Sequence, residues 1–320
     1  VGYMHVEQMY PLNFREFIEA LNVQPTTIEH LRNSWTNEQP VDPIVHNKML
    51  QLFRLYMIVG GMPAVVSKYL ETNNLQLVLS EQLYILSLYK MDIAKYDPNN
   101  KLYLNEIFDL IAAELNAKNK RFVLKQLNEN IKFSRYENSF LWLKDAGVAL
   151  PTYNVDEPQI PLMLSKSRNL FKLFKSDIGL LTCDYGRDIQ RELISSDCTA
   201  NFGSVYENVV AQELTSQGYK LYYYNSKKYG ELDFVIEHDG NVLPIEIKSG
   251  KDYYRHNAMN NVLTCKEYDL PKGLVFCNGN IEVKDNVVYF PIYMLMFLQK
   301  NTIPDQLIFD SDFSDINDLL

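Results

Sequence analysis

The 320-residue chain is poor in several features that would have placed it quickly. Its four cysteines, Cys183, Cys198, Cys265 and Cys277, are scattered, with no CxxC pair and no histidine at zinc spacing. That excludes a disulfide framework or zinc module and reads as reduced thiols in a cytoplasmic protein. No uncharged apolar run reaches membrane length; the longest candidate, Leu75 to Tyr89, contains Glu81. No signal peptide is recognisable. The formal net charge of −9 excludes a surface that is basic all over, so any nucleic-acid contact must rest on local patches. GxxxxGK[ST] is missing, so nothing here cradles phosphates in the Walker manner. Apolar and charged contents of 47% and 22% are ordinary for a globular protein large enough for two or three domains.

What is present centres on Gly230 to Gly250, GELDFVIEHDGNVLPIEIKSG. Two alternating runs flank Asp239-Gly240, a strong signal for a hairpin with a two-residue turn. That register opposes Asp233 to Glu246 and Glu231 to Lys248, with Cβ atoms roughly 4.5–5.5 Å apart. One face is then expected to carry Glu231, Asp233, Glu246 and Lys248, the other Leu232, Phe234, Ile236, Ile245 and Ile247. An amphipathic hairpin with a solvated face accounts for Glu231–Lys248 but not for two opposed carboxylates. Such a pair needs a shared proton or a cation between them, and magnesium, with its oxygen ligands, suits the position.

Five regions are expected in chain order. Residues 1–25 read as a strand, a turn at Pro11 and a helix, too little to form a core, so a preceding part is expected to be missing. Residues 26–98 are helical in pattern and punctuated by Gly60-Gly61-Met62-Pro63. Residues 99–155 read as a winged-helix-like unit, with a stripe of Leu104, Ile107, Phe108, Ile111 and Leu115 and a capping box of Ser134 and Glu137. Six bases against one acid between Asn116 and Arg135 make Lys118, Lys120, Arg121 and Lys125 candidate phosphate contacts, against the plainer reading of a solvated helix face. Residues 156–300 form an α/β unit, and residues 301–320, with five aspartates and no bases, an acidic tail.

Within the α/β unit, Phe171 to Leu181 reads as a strand, locally basic through Lys166, Arg168, Lys172 and Lys175. A helix over Phe202–Gln217 has an inward stripe of Val210, Ala211 and Leu214, and that stripe includes Glu207. A carboxylate there is costly unless paired or ligating. Glu213 lies off the stripe and reads as solvated. His46 reads as a surface or cap residue, His238 as exposed at the turn and His256 as a surface helix position. Tyr222, Tyr223 and Tyr224 suit alternate burial in a strand better than base stacking.

Glu207 on a helix, Asp233 on a strand and Glu246-Ile247-Lys248 on the next strand resemble, in order and spacing, the PD-(D/E)XK nuclease fold. The resemblance implies that Asp233 and Glu246 bind Mg2+ or Mn2+. It gives Lys248 an electrostatic role toward water and phosphate, and Glu207 a supporting or ligating one. Beyond the site, YPLNFREFIEAL, YMIVGGMPAVV, YKMDIAKYD, SFLWLKDAGV, FKLFKSDIGLL, YENVVAQEL, GELDFVI and PIEIKSG look, in that order, like the C-terminal two thirds of a family of prokaryotic AAA-type ATPases. These carry an uncharacterised C-terminal domain with a nuclease-like core. The resemblance implies ATP binding only in a module that precedes this chain.

The expected fold class is therefore multidomain α and α/β: a helical segment, a winged-helix-like unit and a restriction-endonuclease-like core. Two functions stand side by side. One is a metal-dependent nuclease acting on nucleic acid, DNA first, coupled to its ATPase module. The other is a non-catalytic regulatory, assembly or DNA-binding module of that ATPase. Self-association is compatible with both, and no membrane partner is implied.

Overall fold

In a computed structural model of the chain, the structure describes residues 7–96, 101–117, 122, 137–195 and 202–300. Lys118, Lys120, Arg121, Lys125, Ser134 and the acidic tail lie outside the described residues. The fold is mixed α/β, with helices α1 (Phe14–Ala20), α2 (Pro25–Thr36), α3 (Pro43–Val59), α4 (Pro63–Thr72), α5 (Leu75–Tyr96), α6 (Lys101–Asn116) and α7 (Glu137–Asp145) preceding the first strand. Proline at the first turn of α2, α3 and α4 and the side chains of Asn13 and Asp42 before α1 and α3 set the helix starts.

One mixed sheet of eight described strands follows. Its members are β1 (Ala149–Val155), β2 (Lys166–Lys175), β3 (Tyr222–Ser226), β4 (Gly230–His238), β5 (Asn241–Ile247), β6 (Gly273–Cys277), β7 (Glu282–Lys284) and β8 (Val287–Pro291), in the spatial order β2-β1-β3-β4-β5-β6-β8-β7. Strand β1 pairs antiparallel with β2 and parallel with β3, so the expected winged-helix-like unit shares its strand with the central sheet. The strand expected over Phe171–Leu181 is two elements: β2 ends at Lys175 and α8 (Ile178–Tyr185) begins behind Asp177, whose Oδ1 accepts the Leu180 N–H at 2.9 Å. Helices α9 (Arg187–Ile194), α10 (Gly203–Ser216) and α11 (Asn257–Leu263) complete the set.

Helix α10 and the helical first half cover one face of the sheet, where Phe174, Val209, Phe234, Ile245 and Phe276 are buried. Across the sheet, α11 covers a smaller layer with Tyr222, Tyr224, Leu232, Val235, Met259 and Val275. All three of Tyr222, Tyr223 and Tyr224 are buried, as strand residues between two layers. Among the described residues no single helix is long and apolar enough to cross a membrane.

Helix α10 departs most from expectation. Every residue from Ser204 to Leu214 is buried, so it has no solvated face. Glu213 is fully buried, not solvated: its Oε1 accepts the Phe14 N–H at 2.7 Å and the Tyr56 hydroxyl at 3.0 Å. Burial, only partly offset by those donors, raises its carboxyl to about 7. Beside it, Gln212 accepts the Ile178 N–H at 2.7 Å and donates to the Tyr56 oxygen at 2.9 Å. Asn208 brackets the end of β2 through Lys175 N–H and C=O, at 2.8 and 3.0 Å.

The Gly60-Gly61 break is equally constrained. The Gly61 N–H donates to Asp177 Oδ2 at 2.7 Å, and its carbonyl accepts from Leu12 N at 2.7 Å. A Cβ on Gly61 would stand 2.0 Å from the Leu12 carbonyl oxygen. Gly61→Ala is therefore expected to destabilise the fold by about 3 kcal/mol or more, read from the urea midpoint.

Because folding raises the Glu213 pKa, its contribution to stability is complete below pH 4.5 and is lost as pH rises through about 7. Glu213→Gln removes that term. Relative to wild type, the variant should gain roughly 3 kcal/mol of stability between pH 4.5 and pH 8, measured by urea denaturation at both ends. Parallel pH profiles for the two proteins would refute the assignment.

Candidate functional site

The hairpin β4–β5 adopts the expected register. Asp239 and Gly240 have φ of 49° and 77°, the two left-handed positions of a type I′ turn, and Phe234 faces Ile245. The described ladder stops at that pair. Beyond it Asp233 does not continue the backbone pairing; its Oδ2 accepts the Ile247 N–H at 2.8 Å. Lys248 N–H turns instead to the Phe276 carbonyl on β6, at 2.9 Å.

A bulge explains why. On the β3 side of β4, Tyr222 pairs with Val235 but Tyr224 pairs with Leu232, so Asp233 and Phe234 together oppose Tyr223. The additional residue reverses the alternation beyond it. Leu232 therefore packs in the α11 layer rather than with Phe234 and Ile236, which corrects the expected apolar face. Glu231 is turned toward Lys172, and the four polar residues do not form one even face.

Two charge clusters result, with Asp233 between them. In the first, Lys172 Nζ lies 2.8 Å from Glu231 Oε1 and 3.4 Å from Glu207 Oε2, with the Tyr223 ring centroid 5.0 Å away. Asn225 Nδ2 also donates to Glu231 Oε2. Lys172 is fully buried, and Glu207 is 2% exposed. Burial alone would lower the lysine pKa, but the combined fields of Glu207, Glu231 and Asp233 outweigh it and raise the value.

In the second cluster Glu246, 4% exposed, lies 3.3 Å from Lys248 Nζ through its Oε2. Burial first, then the charge of Asp233 and a hydrogen bond to it, push the Glu246 carboxyl well above the usual range, although Lys248 pulls the other way. Asp233 and Lys248 are both partly exposed, so the pair is open to solvent from that side.

The structure brings Asp233, Glu246 and Lys248 together and places Glu207 one lysine away. Lys172 was legible in the sequence only as part of a basic strand. Its signal lay in the position itself, between Phe171 and Leu173 on a strand bound for the interior. Two histidines read as surface residues are also buried. His46 Nδ1 lies 3.0 Å from the Tyr293 hydroxyl and its Nε2 3.2 Å from the Asn278 carbonyl; His256 Nε2 lies 2.6 Å from the Tyr289 hydroxyl. His238 is partly buried against Tyr219.

Among the described residues, no three His, Cys, Asp or Glu side chains converge as a ready metal cage. Asp233 and Glu246 nevertheless fit a hard divalent ion in the way magnesium is commonly held, by one or two carboxylates with water completing the shell. Their mutual repulsion is what such an ion relieves. Glu207 does not fit as a ligand while its Oε2 faces the Lys172 ammonium.

Comparison with known families gives two matches. Residues 50–189 match the domain of unknown function DUF8612. Residues 202–295 match the domain of unknown function DUF4143, which typically stands C-terminal to AAA-type ATPase domains. No curated protein and no solved structure matches the chain.

Replacing Asp233 by Asn keeps an acceptor for the Ile247 N–H and removes the repelling charge. The Glu246 carboxyl should then titrate lower, followed by carbon-detected NMR of the Glu side chains. An unmoved Glu246 would show that burial alone sets its value.

Proposed function

We propose that this chain is the C-terminal part of an AAA-type ATPase and that its last region is a nuclease-like module hydrolysing nucleic-acid phosphodiesters at Asp233, Glu246 and Lys248. The carrying observation is the Asp233–Glu246 pair, two neighbouring carboxyls on adjacent strands with Lys248 Nζ 3.3 Å from one of them. The order α10, β3, β4, β5, α11, β6, with the acids on its first helix and hairpin, supports the PD-(D/E)XK reading. So does the DUF4143 match, which also supports an ATPase module ahead of the chain.

Asp233 and Glu246 would hold one Mg2+ or Mn2+. The ion would supply a water of lowered pKa and neutralise charge developing on the phosphate. The chain's own contributions are distinct. The Ile247 N–H fixes the Asp233 carboxylate through Oδ2. The Lys248 ammonium stands where it can orient a phosphate oxygen or water and stabilise the anionic transition state. The loop after it, Lys251 to Arg255, sets Tyr253 and Tyr254 side by side, with ring centroids 4.4 Å apart, and packs both against Tyr289 of β8.

The second reading, a non-catalytic assembly module, draws on a different observation: Lys172 already neutralises part of the acidic cluster. One assay separates the two. Purified protein is incubated with single- and double-stranded DNA and RNA in Mg2+ or Mn2+, beside Asp233→Ala and Lys248→Ala. The nuclease reading expects cleavage that each substitution lowers by about 10²-fold or more. Equal rates from all three proteins would sink it, and no cleavage of any substrate would favour the assembly reading.

A further inference from the structure

Helix α5 carries large apolar side chains on two opposite sides. Inward, Val78, Leu79, Ile85, Leu86 and Ile93 are buried where the helix packs on α3, α4, α6 and α8. Gln82 fastens that side, its Nε2 donating to the Ile58 and Val59 carbonyls at 2.7 and 3.1 Å. Outward, Leu77, Tyr84, Leu88 and Met91 stand 44%, 58%, 37% and 67% exposed. A helix that is apolar all round belongs inside something, and a run of large exposed side chains on one helix marks an interaction surface.

The outward residues fall in a regular order. Leu77, Glu81, Tyr84, Leu88, Met91 and Lys95 are spaced 4, 3, 4, 3 and 4 apart, the alternation of a and d positions in a coiled coil. This seam occupies about 27 Å of the helix. Beside it, the small Ser80 and Ser87 hydroxyls are already bonded to the Gln76 and Tyr84 carbonyls, at 3.0 and 2.7 Å. A second helix can approach there without leaving either hydroxyl unpaired.

Charge selects the occupant. The seam is apolar in the middle, with the half-buried Glu81 toward one end and the exposed Lys95 at the other. Paired in parallel with its own copy, the helix would set Glu81 against Glu81 and Lys95 against Lys95. An antiparallel pair, with a twofold axis between Tyr84 and Leu88, instead matches each a position with a d position of the other helix. Tyr84 then faces Leu88, Glu81 faces Met91 and Lys95 faces Leu77. The Lys95 stem covers that leucine, and its ammonium lies one turn from the other helix's Glu81.

We propose that this face of α5 pairs antiparallel with α5 of a second copy of the chain, making an isologous dimer. The proposal does not depend on the chemistry at Asp233 and Glu246. A seam of one helix is a small interface, so the dimer is expected to dissociate in the micromolar range.

Sedimentation velocity of the full chain through that range tests it. Wild type should pass from one to two 37.3 kDa chains. Met91→Glu, at the most exposed seam position, removes an apolar layer and brings a second carboxylate to the other helix's Glu81. It should raise the dissociation constant by about tenfold or more. Glu81→Lys and Lys95→Glu should each weaken self-association, and an equimolar mixture of the two should recover it, because each supplies the sign the other lacks. These charge variants leave the apolar seam intact, so they decide the matter even if circular dichroism shows that Met91→Glu misfolds. A wild type that stays monomeric through the micromolar range would overturn the proposal. So would a dimer indifferent to Met91→Glu, or charge variants that associate as well alone as mixed.

Discussion

Helix α10 is buried on every side, and that single constraint organises the molecule. A helix with no solvated face must find partners inside for each polar group it carries. Glu207, Asn208, Gln212 and Glu213 find theirs in four different places: Lys172, the end of β2, the start of α8 with Tyr56, and the start of α1. Each bond crosses a long stretch of chain, from 33 to 199 residues. Losing a partner would leave a desolvated group, which costs more than the bond itself contributes. The helix thus couples the helical first half to the sheet, and the same polar edge ends at the charge cluster.

The cluster is composite as a consequence. Lys172 lies in the region that matches DUF8612, whereas Glu207, Glu231, Asp233 and Glu246 lie in the region that matches DUF4143. The β1–β2 hairpin reaches across by pairing β1 with β3, which carries Lys172 into position. Taken alone, the second region would keep Glu207 and Glu231 without their cation, a buried arrangement that is strongly destabilising. The two matched regions share one core and one electrostatic centre.

Much of this was legible because local chemistry dictated it. The Asp-Gly turn set the hairpin register, and a carboxylate on the apolar stripe of α10 pointed to a partner for Glu207. What stayed illegible depended on an assumption built into periodicity, that one face of each element meets water. It fails for α10, which is why Glu213 was misjudged, and for β2, covered closely enough to bury Lys172 and Lys175. The bulge at Asp233 was invisible for another reason. It is set by the pairing of β3 with β4, and no residue at the bulge announces it. His46 and His256 were read from their neighbours in sequence, while their partners, Tyr293 and Tyr289, come from distant elements.

Buried acids of two kinds coexist here, and the contrast bears on function. Glu213 and Asp177 are raised by burial, yet both are surrounded by donors: Phe14 N–H and the Tyr56 hydroxyl for one, Gly61 and Leu180 N–H for the other. These are structural acceptors, and a neutral carboxyl serves them nearly as well as an ionised one. Glu246 is raised by burial and then further by the charge of a second carboxylate, Asp233, beside it. A core designed only for packing has no use for that arrangement, since an apolar pair of similar volume would be at least as stable. Local rules broken at one point within an otherwise satisfied interior mark places where binding, not stability, has set the residues. The Asp233–Glu246 pair breaks those rules, which is why the proposed function is built on it. The bulge that re-aims Asp233, the N–H that fixes it and the lysine that flanks its partner all converge there.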